Sequence, residues 1–277
     1  MELAEHQRSI RSENAGKQAV GMNGLSGWAL RPSQLSMPRD QVHVWRIQST
    51  REEFDKSDFR KLLNHSELLR ADRFRFEEDR WQFTVVRGFL RHLLSSYLQV
   101  PVTEIDFAYN ESGKPSLAIH LNKYGLQFSV AHSHEYGLVA LSCDVQIGID
   151  LEFERSGVEY LQLAETLLSD VQFAEFMKVP PDVQGACFYR FWTRKEAVAK
   201  AIGIGLSMPF QSFDVSFQPD ESPGIIQLDS LWGPADKWSL HDLDVASGFA
   251  AALAVHCRGR SVHLFDGASA GDKPPRV

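Results

Sequence analysis

The feature that most constrains this fold is a short segment, residues 148–152, that alternates apolar and acidic side chains. Successive residues of a strand face opposite sides, so Asp150 and Glu152 point one way while Ile149 and Leu151 point the other. Two carboxylates therefore share one face of a predicted strand, and its opposite face belongs in an apolar core.

A second segment, residues 191–200, has a helical period. Residues four apart lie on one stripe of a helix, so Trp192, Glu196 and Lys200 are expected to line up. One helical face thus offers a third carboxylate and a cation. The helix leads into a Gly-Ile-Gly-Leu turn at residues 203–206.

Three carboxylates without a cysteine or histidine set are typical of a site for a hard divalent cation. Magnesium prefers a few carboxylates together with substrate phosphate oxygens and retained waters. Lys200, one turn beyond Glu196, can bind a phosphate that the metal also binds. Each piece taken singly also fits an exposed strand edge or an ordinary surface helix, but the combination favours a magnesium–diphosphate substrate.

Together these segments resemble the 4′-phosphopantetheinyl transferases of the surfactin-synthetase-activating (Sfp-like) type. That family has Gly-[Ile/Val]-Asp-Ile-Glu at the first position, and this chain differs only in Leu151. At the second position the family has Trp-[Ser/Thr]-x-Lys-Glu-[Ser/Ala]-x-x-Lys, then Gly-x-Gly-Leu. The resemblance covers about Val42 to His256. It implies an α+β fold that is a pseudo-twofold duplication of two similar α+β halves. It also implies a monomer, because one tandem chain can build the site internally.

Four regions are expected along the chain. They are a flexible N-terminal extension (1–40), an N-terminal α+β half (41–153), a C-terminal α+β half (154–266) and a disordered tail (267–277). The extension is predicted because its Gly, Ser, Ala, Asn and Gln residues show no helical or strand period.

Hydrophobic periodicity predicts the main elements of both halves. They are a strand at Val42–Ile47, an amphipathic helix at Glu77–Leu98, a strand pair at Gln127–Ser133 and Gly137–Ser142, and the Trp192 helix, beginning near Val183 with Asp182 as its cap.

The resemblance also implies contacts to coenzyme A. The family's counterpart of the 77–98 helix supplies an arginine to the 3′-phosphate, which implies Arg80 in preference to Arg87. Lys114 lies in a Gly-Lys-Pro turn that contacts the adenine nucleotide in the family.

His132 matches the histidine of the family's Asn-x-Ser-His-Ser, which contacts the diphosphate, and Ser133 is retained. The chain departs from the motif at Ser129, where asparagine is usual, and at Ala131, where serine is usual. Loss of that serine is predicted to remove one hydroxyl donor to phosphate, worth about 1 to 3 kcal/mol.

The implied function is transfer of the 4′-phosphopantetheine arm from coenzyme A to a serine of an acyl or peptidyl carrier protein, releasing adenosine 3′,5′-bisphosphate. Asp150, Glu152 and Glu196 would hold Mg²⁺, or alternatively Mn²⁺. Lys200 would bind phosphate, and Glu196 is also the candidate base. Two alternatives remain: a magnesium-dependent hydrolase of the coenzyme A diphosphate, and a non-catalytic adaptor for coenzyme A or a carrier, suggested by the departures at Ser129 and Ala131.

Composition limits which kinds of partner and which cellular compartment are expected for this protein. A formal net charge of −7 argues against a nucleic-acid binder, and no apolar run is long enough for a transmembrane helix. The chain begins without the apolar core of a secretory signal, so we expect a cytoplasmic protein. Because carriers are acidic around their serine, docking is expected near Arg60 to Arg75, or among the apolar residues that follow the 148–152 strand.

Overall fold

The computed structural model describes residues 25–50, 56–155 and 158–267, which form an α+β fold. The helices are α1 (Lys56–Lys61), α2 (His65–Ala71), α3 (Glu77–Leu98), α4 (Tyr160–Leu167), α5 (Asp170–Phe176) and α6 (Pro181–Ile202). The strands are β1 (Ala29–Leu30), β2 (Gln41–Gln48), β3 (Phe107–Tyr109), β4 (Pro115–Leu117), β5 (Leu126–Ser133), β6 (Tyr136–Cys143), β7 (Ile147–Phe153), β8 (Asp214–Val215), β9 (Ile225–Gln227), β10 (Ser239–Asp242), β11 (Phe249–Val255) and β12 (Ser261–Asp266). Within these ranges, no helix combines the length and the apolar character needed to cross a bilayer.

The N-terminal half packs α3 against a five-stranded sheet with the order β1-β12-β2-β6-β5. Val85, Phe89 and Leu93 recur every four residues on α3 and are buried against Trp45 and Ile47 of β2. The predicted helix is confirmed with its predicted bounds, and β2 is slightly longer than the predicted strand.

The C-terminal half packs α6 against a three-stranded sheet with the order β10-β11-β7. Small side chains face each other across this contact, including Ala197 and Ala201 of α6 and Ala250, Ala252 and Ala254 of β11. Because these side chains are small, the helix backbone lies close to the sheet. The acidic face of β7 is therefore brought next to α6.

The start of α6 differs from the prediction. The helix begins at Pro181 rather than near Val183, and its N-cap is Pro180, which makes no side-chain capping bond. The prediction of Asp182 as the cap is therefore wrong. Proline is favoured in the first helical position because its missing N–H would have no partner there, and Asp182 in the first turn suits the positive end of the helix dipole.

An apolar cluster joins the two halves where β5 lies beside β7. It includes Val44 and Ala140 from the first sheet and Ile149, Leu151 and Leu253 from the second, all buried. Each half thus consists of a long helix on a small sheet, and the two sheets share one layer of core. This confirms the predicted architecture of two similar α+β halves.

The strand pairing differs from the predicted division at residue 153. β7, predicted in the N-terminal half, pairs antiparallel with β11 of the C-terminal half. β12, predicted in the C-terminal half, pairs in parallel with β2 of the N-terminal half. Strand partners are selected by the surface that they bury, and chain order does not reveal that selection.

Residues 25–40 contact both halves, so the prediction of a flexible extension is wrong for this part. The Trp28 indole donates to the carbonyl of Asp244 at 2.7 Å, and the Arg46 guanidinium lies 4.7 Å from the Trp28 ring centre. β1 also pairs in parallel with β12. Residues 1–24 and 268–277, which hold the rest of the predicted extension and most of the predicted tail, lie outside the described residues.

Candidate active site

The predicted carboxylates meet where β7 faces α6. Asp150 and Glu196 are buried, with 4% and 9% of their surfaces exposed. The Lys200 ammonium lies 2.6 Å from Oδ1 of Asp150, and the Trp192 indole donates to Oε1 of Glu152 at 3.4 Å. Asp150 and Glu152 thus approach Glu196 and Lys200, although these pairs lie more than forty positions apart in the sequence.

Burial and mutual repulsion dominate the electrostatics of this cleft. Burial, together with the charges of Asp150 and Glu152 and opposed by Lys200, raises the pKa of Glu196 to about 7. Burial first, and then the charge of Asp150, also raises the pKa of Glu152. The folded protein thus confines more negative charge than Lys200 alone offsets, which is a condition that a bound cation would relieve.

The donor set fits a hard cation, although the site is not preassembled. Within the described parts of the chain, no three histidine, cysteine or acidic side chains already form a group able to hold a metal ion. The Oδ2 atom of Asp150, however, is buried and has no hydrogen-bond partner among the described residues. A buried carboxylate oxygen without a partner is costly, and with an all-oxygen set of neighbours it suits Mg²⁺.

Serine hydroxyls join β5 to β7 beside the carboxylates. The Ser129 Oγ accepts from the Ile149 amide at 3.1 Å, and the Ser133 Oγ accepts from the Phe153 amide at 3.0 Å. The Ser133 hydroxyl also donates to Oε2 of Glu152 at 3.3 Å. Ser133, predicted to contact coenzyme A, therefore orients Glu152. Ser129, which stands where the family has asparagine, bonds to the backbone of β7, a role that the sequence did not reveal.

Ala131, between these serines, is 4% exposed and belongs to the apolar cluster between the halves. Its side chain faces the core and not the cleft. A side chain at this position is therefore not placed to donate to a phosphate, contrary to the prediction.

His132 faces the cleft from β5 with its side chain exposed. Its surroundings lower its pKa through desolvation, and the charges of Lys200 and Arg70 lower it further. Arg70, an exposed residue of α2, has its guanidinium 5.2 Å from the ring centre of Phe83 and adds positive potential at His132.

Two cavities adjoin residues of this site. The smaller, about 210 Å³, is reached by Lys200. It is lined by Ser112, Gly113, Lys114, Pro115, Phe128, Ser129, Val130, Lys200, Gly203 and Gly205. The larger, about 710 Å³, is reached by Glu152 and is lined by Ser49, Thr50, Glu78, Asp79, Trp81, Gln82, His132, Ser133, His134, Glu135, Glu152 and Arg155. Lys200 and Glu152 thus each face a cavity that a ligand can enter.

Lys114 lies in the smaller cavity, but its ammonium is bound by the protein. It donates to the carbonyls of Ile147 and Ala201 at 3.3 and 3.2 Å, and burial lowers its pKa to about 8. The side chain thus connects the 113–115 turn to both elements of the carboxylate site.

The two predicted arginines have different surroundings. Arg87 donates to Oε1 of Glu67 at 2.6 Å and to the Tyr109 hydroxyl at 2.6 Å, and its guanidinium stacks on Phe107. It is therefore engaged by the protein itself. Arg80 donates to the Phe74 carbonyl, while its Nε is buried without a partner among the described residues. Arg80 is thus held by fewer contacts with the protein than Arg87.

The other cation of the helix motif, Lys195, points away from the cleft. It is 1% exposed and donates to the carbonyls of Phe210 and Phe213. These bonds hold the segment after α6 against the helix, and that segment brings Gly203 and Gly205 to the smaller cavity.

Comparison with known sequences identifies the family to which this fold and site belong. Residues 45–144 match the family described as "4′-phosphopantetheinyl transferase, N-terminal", and residues 146–254 match the "4′-phosphopantetheinyl transferase superfamily". The boundary between these matches falls before β7, in agreement with the pairing of β7 in the second sheet.

Similar proteins carry the same name. The chain is 35% identical over 228 residues to the 4′-phosphopantetheinyl transferase HetI of a Nostoc species, covering 82% of this chain and 93% of that protein. It is 34% identical over 145 residues to AcpT of Escherichia coli (52% and 69%), and 27% identical over 172 residues to Sfp of Bacillus subtilis (62% and 74%). The chain therefore belongs to the 4′-phosphopantetheinyl transferase superfamily and is an enzyme of this class.

The raised pKa of Glu196 predicts a pH-dependent stability. The unfolded chain releases this proton near pH 4.5 and the folded chain near pH 7, so the contribution of Glu196 to stability falls as the pH rises between these values. With a chelator present, Glu196→Gln is expected to be about 2 kcal/mol more stable than the parent at pH 7.5 and equally stable near pH 4. Chemical denaturation at both pH values measures this, and a difference independent of pH would contradict it.

Proposed function

We propose that this enzyme transfers the 4′-phosphopantetheine arm of coenzyme A to a serine of an acyl or peptidyl carrier protein and releases adenosine 3′,5′-bisphosphate. The observation that carries the proposal is the convergence of Asp150, Glu152, Glu196 and Lys200 beside two cavities. One chain supplies both sides of this cleft, so we propose that it acts as a monomer.

Coenzyme A would lie across the cleft with its diphosphate at the centre. The smaller cavity, with the backbone of the Gly113–Pro115 turn on its wall, would take the adenine nucleotide. The larger cavity leaves room for the pantetheine arm. His132, which lines the larger cavity, would provide a donor to the diphosphate, and Arg80 would contact the 3′-phosphate. Arg87 is not included, because Glu67 and Tyr109 engage it.

Asp150, Glu152 and Glu196 would hold a divalent cation, Mg²⁺ or alternatively Mn²⁺. The proposal is supported by the buried Oδ2 of Asp150 without a partner and by the raised pKa values of Glu152 and Glu196. When bound, the cation would neutralise negative charge on the diphosphate. Ser133 and Trp192 keep Glu152 oriented through their hydrogen bonds.

Glu196 would act as the base. A serine hydroxyl is a weak nucleophile and needs a base. Glu196 is the candidate because burial and the neighbouring carboxylates increase its affinity for a proton in the metal-free site. Glu196 takes the proton as the serine oxygen bonds to the phosphorus that carries pantetheine. The bond from that phosphorus to the bridging oxygen breaks, and the nucleotide leaves with the electron pair. Lys200 would donate to the phosphate oxygens where charge accumulates.

The test is incubation with coenzyme A, Mg²⁺ and a panel of apo carrier proteins, each weighed by intact mass spectrometry. We expect one or more carriers to gain the mass of a phosphopantetheine arm, with the nucleotide released in equal amount. The gain should disappear with excess chelator and with a carrier whose acceptor serine is alanine.

Two other results would contradict the proposal. Cleavage of coenzyme A with no modified carrier would indicate the hydrolase. Binding of coenzyme A with neither cleavage nor transfer would indicate the adaptor.

A further inference from the structure

The corner between α2 and α3 combines exposed apolar and basic side chains. Leu69 and Phe76 are 49% and 57% exposed, and Arg73 and Arg75 between them are also exposed. We call these four residues the basic corner. Exposed apolar side chains flanked by charge are typical of protein interaction surfaces.

The charges of the two arginines are exposed to solvent. Among the described residues, neither Arg73 nor Arg75 has an ion-pair partner, whereas nearby Arg60 pairs with Asp72 at 3.1 Å. The Arg75 guanidinium lies 5.3 Å from the ring centre of Phe76, which presents the charge and the apolar surface together. These two arginines therefore present exposed positive charge on a chain whose formal net charge is −7.

The basic corner adjoins the larger cavity. Phe76 is the N-cap of α3, and the first turns of that helix supply Glu78, Asp79 and Trp81 to the cavity wall. Glu152 lies on the same wall. A protein bound at the corner would thus be positioned to insert a short loop toward the carboxylates.

We propose that the basic corner is the docking surface for the carrier protein, which would present carboxylates beside an apolar ridge on a helix. This inference rests on the proposed function. Charge complementarity selects an acidic protein surface, because Arg73 and Arg75 are exposed and have no ion-pair partner among the described residues. Leu69 and Phe76 supply the apolar contact.

The experiment uses a carrier that the wild-type enzyme modifies and compares three forms in steady-state kinetics. In Arg73→Glu/Arg75→Glu we expect the KM for the carrier to rise about tenfold, with the KM for coenzyme A and the kcat at saturating carrier within about twofold. The difference should shrink as salt is added. The control, Lys237→Glu/Arg258→Glu, makes the same change in net charge at exposed positions outside both cavities and should keep the wild-type KM for the carrier.

Arg73→Gln/Arg75→Gln is expected to give a smaller rise in the same KM, since it removes attraction without adding repulsion. An unchanged KM for the carrier in the glutamate variant would overturn the docking surface, and so would an equal rise in the control. Either result leaves the transferase activity of the wild type standing. A wild-type enzyme that modifies no carrier would instead contradict the proposed function.

Discussion

Glu196→Gln is expected to lower kcat for transfer to a carrier by about 10³-fold and to lower the affinity for coenzyme A far less. Glutamine keeps the volume of the side chain and removes its ability to accept a proton. It also removes one of the three negative charges whose mutual repulsion raises the pKa of Glu196 to about 7. The chemical step therefore loses both its base and part of its cation site. Single-turnover kinetics and calorimetric titration with coenzyme A measure the two effects separately.

The matched control for this variant is Glu154→Gln. Glu154 follows β7, burial also raises its pKa, and it does not line either cavity. The control makes the same chemical change close to the site. It is expected to keep kcat within about threefold of the parent, because Glu154 takes no part in the chemical step. A parallel loss of coenzyme A binding and of turnover in Glu196→Gln would reduce Glu196 to a ligand-binding role and refute its assignment as the base.

Gly148→Ala is expected to be the most destabilising single substitution in the described part of the site. A Cβ at this position would meet the carbonyl oxygen of Ala197 and the amide nitrogen of Ala201 at distances well inside 3.0 Å. These are backbone atoms of α6, so they cannot move aside as a side chain does. We expect a loss of about 3 kcal/mol in the free energy of unfolding, which lowers the Tm by roughly 6 to 12 °C.

Gly185→Ala provides the control within α6. Its Cβ would meet only the Tyr160 side chain at 3.7 Å, an ordinary contact. Alanine also favours a helix interior over glycine by about 1 kcal/mol, so this variant should be as stable as the parent or more so. If Gly148→Ala melted like Gly185→Ala, the close approach of α6 to β7 would be wrong. The geometry of the carboxylate site that depends on it would then be wrong too.

These two predictions concern one piece of structure. Gly148 allows α6 to approach β7, and two residues later Asp150 comes within 2.6 Å of Lys200. A strand with a larger residue at position 148 would hold the helix further away and separate Glu196 from Asp150 and Glu152. The stability of the contact between α6 and β7 and the chemistry of the site thus both depend on the close approach that Gly148 allows.

Much of the candidate site was predictable because its residues follow local periods. A strand period places Asp150 and Glu152 on one face, a helical period aligns Trp192, Glu196 and Lys200, and both elements are present as predicted. The long helix α3 was likewise predicted with its observed bounds, because its apolar stripe is uninterrupted.

What the sequence did not reveal involves partners that are distant along the chain. Glu67 engages Arg87 from another helix, the Ser133 hydroxyl bonds to Glu152, and the Ser129 hydroxyl accepts from the Ile149 amide. None of these pairings leaves a mark in the residues next to either partner. The sequence therefore could not reveal that Arg87 and Ser133, which stay predicted ligand contacts, already bond to acidic side chains.

The amino-acid sequence by itself determined the principal elements, the two-half architecture and the acidic residues of the cleft, because backbone period and residue chemistry are local properties. Only the tertiary structure decided that β7 and β12 each pair in the other half's sheet and that residues 25–40 contact both halves. It also decided which polar groups keep a free donor or acceptor. The physical reason is that a strand edge, a buried hydroxyl or a guanidinium takes whichever partner folding brings within hydrogen-bond reach, and that partner is selected by the packing of the whole chain.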